Sequence, residues 1–148
     1  MITLTLPYPV SANRYWRTYM PRGFKAPVTT LSAEAKDYKA QVRVLARLAG
    51  ITQPLLGRVA VDIKLYPKRP QDWAKRARTN PATWDDDVMC IDLDNARKVL
   101  YDSIKGIVID DDKWIRRDSG ERMEPDGEAR VVVTITPIAA ETQQAVLL

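Results

Sequence analysis

The feature that most constrains the fold is a strict alternation of apolar with polar or small side chains over residues 59–65. Successive side chains of a β-strand point to opposite faces, so the apolar members of this run would share one side. They are Val59, Val61, Ile63 and Leu65. Residues 2–6 alternate apolar side chains with threonine, and residues 130–136 contain the run Val-Val-Val-Thr-Ile. The sequence therefore predicts three strands, with the one at 59–65 half-buried.

Two amphipathic segments predict helices. The first covers residues 33–48, where Ser32 is suited to be the N-cap and Gly50 to end the helix. Its expected apolar stripe is Tyr38, Val42, Leu45 and Leu48. The second covers residues 96–105. Its expected apolar face is Ala96, Val99, Leu100 and Ser103 with Ile104.

The other segments predict short strands and loops. Residues 107–109 are expected to form a short strand, and residues 114–117 to continue as another. Residues 10–30 are expected to form a loop rich in arginine and aromatic side chains, and residues 67–89 a long polar loop. The sum is an α+β fold, a small mixed β-sheet of about four or five strands with two main helices.

The chain has 148 residues, enough for one hydrophobic core. We expect a single domain over residues 1–137 and a C-terminal tail over residues 138–148. No apolar run is long enough to span a membrane, and the first residues are typical of a strand rather than of a signal peptide. The single cysteine, Cys90, excludes an internal disulfide and suits a reducing cytoplasm. We expect Cys90 to be buried and inert.

The chain contains no histidine. This excludes the Ser-His-Asp and Cys-His mechanisms, an imidazole general base and a histidine-ligated zinc site. Any catalysis must therefore use carboxylates, lysine or a hard metal ion. Carboxylate ligands favour Mg²⁺ or Mn²⁺.

The net charge of +4 is unevenly distributed along the chain. Residues 1–33 contain four cationic side chains and no acid, and residues 68–78 contain five cations and one acid. The acids concentrate elsewhere, in residues 85–87, in Asp92 and Asp94, and in residues 110–112. Basic flanks around an acidic centre are typical of an enzyme that grips a polyanion and binds metal ions between them.

The first carboxylate motif is Asp92-x-Asp94. On an extended chain the two side chains would point to the same side, whereas on a helix they would diverge by about 200°. The alternative is that one of them simply caps the following helix. Asp94, Lys98 and Asp102 share one helix face. That face is either a solvated ladder of ion pairs or a lysine held beside the carboxylates to bind a phosphate oxygen.

The second carboxylate motif is the run of three aspartates at residues 110–112. Adjacent carboxylates repel each other and are costly to hold together without a cation. The expected strand at 107–109 could pair beside the Asp92 segment, and carboxylates from two strand ends are a common way to build a Mg²⁺ site. The alternative is a fully solvated acidic turn.

Two basic segments are candidates for DNA contact. In residues 13–25 we expect Arg14 and Arg17 to point outward, where arginine binds phosphates, while some of the aromatic side chains pack inward. Those aromatic residues are Tyr15, Trp16 and Tyr19. The second segment would lie as a flap opposite the acidic site, and the alternative is a solvated loop. Its candidate residues are Lys68, Arg69, Lys75 and Arg76.

Together these segments resemble the RusA family of Holliday junction resolvases. Residues 6–17, with the sequence LPYPVSANRYWR, resemble the N-terminal L-P-x-P-x-S-x-N segment of that family. Residues 32–42 resemble the start of its first helix. Residues 92–111 resemble its D-L-D-N-x-x-K-x-x-x-D core and the later G-x-x-x-D-D. The resemblance covers most of the chain up to about residue 115.

The resemblance implies a homodimer that binds branched DNA, a four-way junction, and cuts its phosphodiester bonds with Mg²⁺ or Mn²⁺. The catalytic residues it implies are Asp92, Asp94, Asp111 and Lys98, the three aspartates also being the metal ligands. Asp110 and Asp102 would support the site, and Asn13 joins the basic segments as a DNA contact. The resemblance also implies a role in DNA recombination and repair, a phage or prophage origin, and the cytoplasm of a bacterial host.

Two features depart from the pattern of the family. Residues 67–91 are longer than expected, and the acids at 85–87 stand where the family often has basic residues. Both bear on the junction contacts near the site. Two other functions explain less of the sequence. A non-catalytic DNA-binding regulator of the same fold would not need the three aspartates or Lys98, and a metal-dependent phosphohydrolase acting on small phosphoesters would not need two basic segments.

Overall fold

The structure is a computed structural model that describes residues 1–139. The strands are β1 (Ile2–Pro7), β2 (Trp16–Tyr19), β3 (Val28–Leu31), β4 (Val59–Tyr66), β5 (Ile115–Arg122) and β6 (Arg130–Pro137). The helices are α1 (Ala12–Tyr15), α2 (Ala33–Leu48), α3 (Trp73–Thr79) and α4 (Leu93–Ile104), with a 3₁₀ turn at Asp112–Trp114. The expected α+β class is confirmed. Residues 140–148 of the expected tail lie outside the described residues.

A four-stranded mixed sheet in the order β1-β6-β4-β5 forms the centre of the fold. Strand β6 is antiparallel to β1 and β4, and β4 is parallel to β5. The alternation in β4 buries one side of the strand almost completely, as expected. The same face of the sheet takes its other buried side chains from β1 and β6, namely Leu4, Leu6, Val131, Val133 and Ile135. The three strands predicted from the sequence thus supply the buried face of the sheet.

The long helices α2 and α4 complete the core, and α2 packs against both β1 and α4. Helix α2 has the predicted bounds because both of its end signals operate. The Ser32 side chain accepts a hydrogen bond from the Ala35 amide at 3.1 Å, and Gly50 follows with φ of 89°, which a residue with a Cβ rarely adopts. No helix within residues 1–139 has the length and apolar content needed to cross a membrane.

The buried stripe of α2 differs from the expected one. Leu48 is 79% exposed and Leu45 only half-buried, while Ala35 and Ala46 are buried beside Tyr38 and Val42. Leu48 follows Val42 by six residues, so at about 100° per residue it lies about 120° away from it around the axis. The buried stripe therefore includes two alanines that we did not predict and leaves out Leu48. The apolar face expected for α4 is confirmed, with all five residues buried.

Residues 107–109 are not the expected strand. They form a turn that is buried throughout, with isolated bridges from Ile109 to Leu55 and to Lys105. Gly106 precedes the turn with φ of 76°, and the Gly106 amide donates to the Ile109 carbonyl at 2.7 Å. Three consecutive apolar residues are typical of a buried strand, but here the chain reverses instead. The strand expected at 114–117 is present as the longer β5.

Both expected loops contain secondary structure. Residues 10–30 include the single turn α1 and a hairpin of β2 and β3, whose pairing joins Trp16 to Leu31 and Tyr19 to Val28. Residues 67–89 include the short helix α3, which buries none of its own side chains. Because neither α3 nor the hairpin has a regular apolar period, periodicity alone does not reveal them.

Candidate active site

The N-terminal end of α4 carries Asp92 and Asp94. Asp92 is the N-cap, since its backbone is extended and its Oδ1 accepts a hydrogen bond from the Asn95 amide at 2.7 Å. The helix therefore begins at Leu93, and Asp94 lies in its first turn. Of the two alternatives for the Asp-x-Asp motif, the structure shows the helix cap for Asp92 and not an extended pair. Both carboxylates are exposed at the end of the helix where its dipole favours negative charge.

Lys98 lies one turn along α4 from Asp94. Its Nζ is 3.6 Å from Oδ2 of Asp94, and the two side chains are 62% and 80% exposed. An ion pair this exposed contributes only a few tenths of a kcal/mol to stability. Lys98 can therefore exchange its contact with Asp94 for a phosphate oxygen at little cost.

Asp102, the third member of that helix face, has a structural partner. It accepts a hydrogen bond from the hydroxyl of Tyr15 at 2.5 Å, and Tyr15 is completely buried. Burial and the neighbouring carboxylate both raise the pKa of Tyr15 above its usual value, so the phenol remains the donor. Asp102 thus anchors α1 rather than completing a ladder with Lys98.

A second hydrogen bond joins the same two elements. The Ala12 amide donates to Oδ1 of Asn95 at 2.6 Å. The two bonds hold α1 against α4 and carry Asn13 and Arg14 to the end of the helix that bears Asp92. Sequence reasoning missed Asn95 as a positioning residue, although the D-L-D-N motif that contains it was the available signal.

The acidic run at residues 110–112 forms a tight turn at the start of β5. Asp111 caps the 3₁₀ turn and accepts from the Lys113 amide at 3.0 Å. That hydrogen bond, with a second from the carboxyl of Asp112, holds the pKa of Asp111 below its usual value. The neighbouring Asp111 carboxyl in turn raises the pKa of Asp112. The indole of Trp114 donates to Oδ2 of Asp110 at 3.3 Å. Asp111 therefore loses its proton at a lower pH than Asp112.

The two carboxylate motifs lie at opposite ends of α4. The helix has 12 residues and so spans about 18 Å. The positive charge of Lys105, which follows its last residue, acts on both Asp111 and Asp112. Strand β5 then runs back along α4, so that a Cβ added to Gly120 would lie 2.9 Å from Nη2 of Arg97. Asp111 is therefore near the C-terminal end of the helix.

The expected convergence of Asp92, Asp94 and Asp111 does not occur within one chain. Among residues 1–139, no group of three or more cysteine, aspartate or glutamate side chains is arranged to hold a metal ion. The physical reason is that the turn at 107–109 replaces the strand that would have run beside the Asp92 segment. The carboxylates of Asp92 and Asp94 have suitable chemistry for a hard divalent cation, but one chain supplies them without the third aspartate.

A surface groove of about 850 Å³ leads toward the N-terminal end of α4. Four cationic side chains line it: Arg14, Lys68, Arg69 and Arg76. Its apolar lining comes from Tyr8, Pro9, Val10, Val88, Met89 and Ile91. Cys90 also lines the groove and is half-buried, not fully buried as expected. The groove therefore joins the two basic segments next to Asp92, as the flap hypothesis requires.

Three of the other DNA-contact candidates lie outside this groove. Arg17 is exposed on β2, where its guanidinium stacks over Tyr19 at 5.1 Å from the ring centroid. Lys75 lines a neighbouring hollow that shares Arg76 with the groove. Asn13 is exposed on α1. As expected, Arg14 and Arg17 point outward while Tyr15 packs into the core.

Comparison with protein families then identifies the fold. The family model described as endodeoxyribonuclease RusA matches residues 7–136 of the 148. The chain belongs to the RusA family of endodeoxyribonucleases. A search among curated proteins found no match to the chain. The family match includes both ends of α4, the groove, and strands β4 and β5 of the sheet.

The longest departure from the RusA pattern, residues 67–91, is tied to the sheet by side chains. Nη2 of Arg122 donates to the carbonyls of Asp85 and Val88, at 2.9 and 2.8 Å. The indole of the buried Trp84 donates to Glu124 at 2.7 Å. The backbone around the unexpected acids is thus held against β5, independently of their carboxylates.

One of these acids also modulates the groove. Arg76 lies on the rim, with its Nε 2.9 Å from Asp72 and its Nη1 3.3 Å from Asp87. Both partners are more than half exposed, so these ion pairs are weak and screened by salt. Arg76 is therefore oriented by its neighbours without losing its capacity to bind a phosphate.

Proposed function

We propose that this RusA-family protein is a divalent-metal-dependent endonuclease that resolves four-way DNA junctions during recombination and repair. The observation that carries the proposal is a groove with four cationic side chains that reaches Ile91, the residue before Asp92, at the end of α4 where Asp94 and Lys98 are also exposed. Such a groove attracts the phosphate backbone, and the exposed carboxylates suit a hard cation. A bacterial cytoplasm and a phage or prophage origin fit this function and remain part of the proposal.

Each site residue then has a distinct role. Asp92 and Asp94 would hold Mg²⁺ or Mn²⁺, which when bound would lower the barrier to phosphodiester hydrolysis by stabilising the developing negative charge. Lys98 would leave Asp94 and bind a phosphate oxygen. Hydrolysis forms a bond from water to phosphorus and breaks the bond to the 3′ oxygen. Because the chain has no histidine, the proton of the attacking water must pass to a carboxylate, to lysine or to solvent.

The position of Asp111 supports a homodimer. A single chain keeps it a helix length away from Asp92, so a site that contains all three aspartates requires a second copy. Two chains related by a two-fold axis would build two equivalent sites, each from the Asp92 end of one chain and the Asp111 turn of its partner. Two sites are also what the symmetric cleavage of a four-way junction demands.

The test is a cleavage assay on a four-way junction, a linear duplex of the same sequence and a small phosphodiester. Each substrate is incubated with Mg²⁺, with Mn²⁺ or with a chelator. We expect paired cuts in the junction that need the metal. Junction binding without cleavage would favour the non-catalytic regulator, and turnover of the small ester alone would favour the phosphohydrolase. Either of these outcomes would overturn the proposal.

A further inference from the structure

A second cationic surface lies on α2, away from the groove. It consists of Lys36, Lys39, Arg43 and Arg47, which we call the α2 stripe. At about 100° per residue these positions fall within about 80° of each other around the helix axis. Lys36, Arg43 and Arg47 are exposed, and Lys39 is half-buried. The stripe is therefore a continuous row of positive charge along one side of the helix.

The acids of α2 do not compensate this charge. Glu34 pairs with Arg14 at 2.5 Å, and Asp37 accepts a hydrogen bond from Gln41 at 2.8 Å. Both acids lie at helical angles of about 100° or more from Lys36. Within residues 1–139 no cation of the stripe forms an ion pair. The like charges repel across the i, i+4 pairs, which costs a few tenths of a kcal/mol each. A bound polyanion would offset that cost.

The stripe adjoins the hairpin of β2 and β3. Leu31 of β3 lines a shallow hollow with three members of the stripe. The hairpin carries three further exposed cations, Arg17, Arg22 and Lys25. The groove reaches α2 at a different side of the helix, where Arg14 pairs with Glu34. The stripe and the hairpin therefore form a cationic surface that is distinct from the groove.

We propose that the α2 stripe binds the backbone phosphates of a duplex arm of the DNA substrate, outside the groove. From Lys36 to Arg47 the stripe is about 16 Å long, which matches about five base pairs of duplex at 3.4 Å each. The regular spacing of lysine and arginine suits a row of phosphates and reads no base sequence. The identity of the substrate rests on the proposed nuclease function, but the binding of duplex DNA to this surface does not require catalysis.

The test compares two triple variants with equal charge. In K36Q/R43Q/R47Q the stripe loses three cations, and in R58Q/R116Q/R117Q three exposed arginines are lost elsewhere. Each changes the net charge from +4 to +1. Glutamine retains a good helix propensity, so α2 should persist, and circular dichroism of both variants checks this. Affinity for a four-way junction is measured over a salt series in the presence of a chelator.

We expect the stripe variant to bind about tenfold more weakly at low salt. Its slope of log K against log salt should be shallower by about 2 to 3, since each phosphate contact contributes about 0.9. The control should change the slope by much less. Equal losses in both variants, or a wild-type slope in the stripe variant, would overturn the proposal. Cleavage by the wild-type protein is measured in parallel, so that a failure of the stripe and a failure of the nuclease function give different results.

Discussion

The two ends of α4 have similar residue types and different surroundings. At the N-terminal end, Asp92 and Asp94 are exposed beside Lys98, next to the cationic groove. At the C-terminal end, Asp111 accepts a hydrogen bond from the Lys113 amide in a tight turn beside Lys105, with Asp112 next to it. The first pair is open to a cation and to DNA. The second pair is held in a turn, where the pKa of Asp111 is lowered and that of Asp112 is raised.

The body of α4 keeps these two ends at a fixed separation. Val99, Leu100 and Ile104 are fully buried. On the side facing β5, Tyr101 donates to Asp118 at 2.9 Å, and Nε of Arg97 lies 3.3 Å from the same carboxylate. The Arg97 contact is an ion pair without hydrogen-bond alignment, since its buried Nε has no hydrogen-bond partner within residues 1–139. Bending such a helix to bring its ends together would disrupt the core, which is why the proposed site uses two chains.

The largest predicted effect comes from neutralising an aspartate at either end of α4. Asp92→Asn, Asp94→Asn and Asp111→Asn should each reduce junction cleavage by about 10³-fold or more, because each removes a ligand worth several kcal/mol in the transition state. Junction binding should be unchanged or tighter, since a charge that repels DNA is removed. Single-turnover cleavage and gel-shift affinity measure the two quantities.

The matched control for Asp111 is its neighbour. Asp112→Asn should retain cleavage, because Asp112 carries the raised pKa and is the partner rather than the expected ligand. If Asp112→Asn is inactive and Asp111→Asn cleaves normally, the assignment within the acidic run is wrong by one residue.

The second prediction separates a shared site from a site within one chain. Asp92→Asn and Asp111→Asn are each inactive alone. If each site combines the Asp92 end of one chain with the Asp111 turn of its partner, a mixed dimer has one site with both substitutions and one intact site. An equal mixture that exchanges subunits should therefore recover about one quarter of the wild-type sites.

The product and the oligomeric state check this prediction. The recovered activity should appear mainly as nicked junctions, because a mixed dimer holds one working site. Sedimentation should give a dimer at micromolar concentration. A mixture that stays inactive, although mass spectrometry shows mixed dimers, would place the whole site within one chain. A protein that remains monomeric would contradict a site shared between two chains.

Local signals account for what the sequence predicts well. The start of α2 follows from the Ser32 cap, and β4 follows from its alternation, because both depend on residues close together in the chain. The residue types of the active site also follow from local motifs. The pairing of β2 with β3, the helix α3 and the turn at 107–109 depend on contacts that no short window contains. The turn illustrates this, since Ile109 bridges to Leu55, more than fifty residues earlier.

The arrangement of the site depends on tertiary contacts for the same reason. The D-L-D-N motif predicts carboxylates and a nearby lysine, but the position of Asp111 depends on the direction of β5 relative to α4. Asp102 was predicted as a supporting acid from its helical spacing. Its partner is Tyr15, which is distant in sequence and becomes a neighbour only through the packing of α1. Spacing identifies the face of a helix and leaves open what covers it.

The third prediction concerns the helix between the two ends. Leu100 is completely buried at the middle of α4, so Leu100→Ala should lower the free energy of unfolding by about 2–5 kcal/mol through lost burial and a cavity. Cleavage should fall only in proportion to the fraction of protein that remains folded, because Leu100 supports both ends of α4. Denaturant unfolding measures the stability. Leu48→Ala on α2 is the control, since its exposed side chain should give a change within about 0.5 kcal/mol.

The smallest predicted effect distinguishes two arginines that the sequence places only three residues apart. Arg14 lines the groove near the N-terminal end of α4, whereas Arg17 is on the hairpin. Replacing either with alanine should weaken junction binding and lower the slope of log K against log salt by up to about 0.9. Only Arg14→Ala should also slow cleavage of bound junction, because of the two arginines only Arg14 lines the groove that reaches the Asp92 end of α4. An unchanged slope in both variants would remove residues 13–25 from the DNA interface. If both variants lose cleavage equally, the groove does not hold DNA specifically at the Asp92 end of α4.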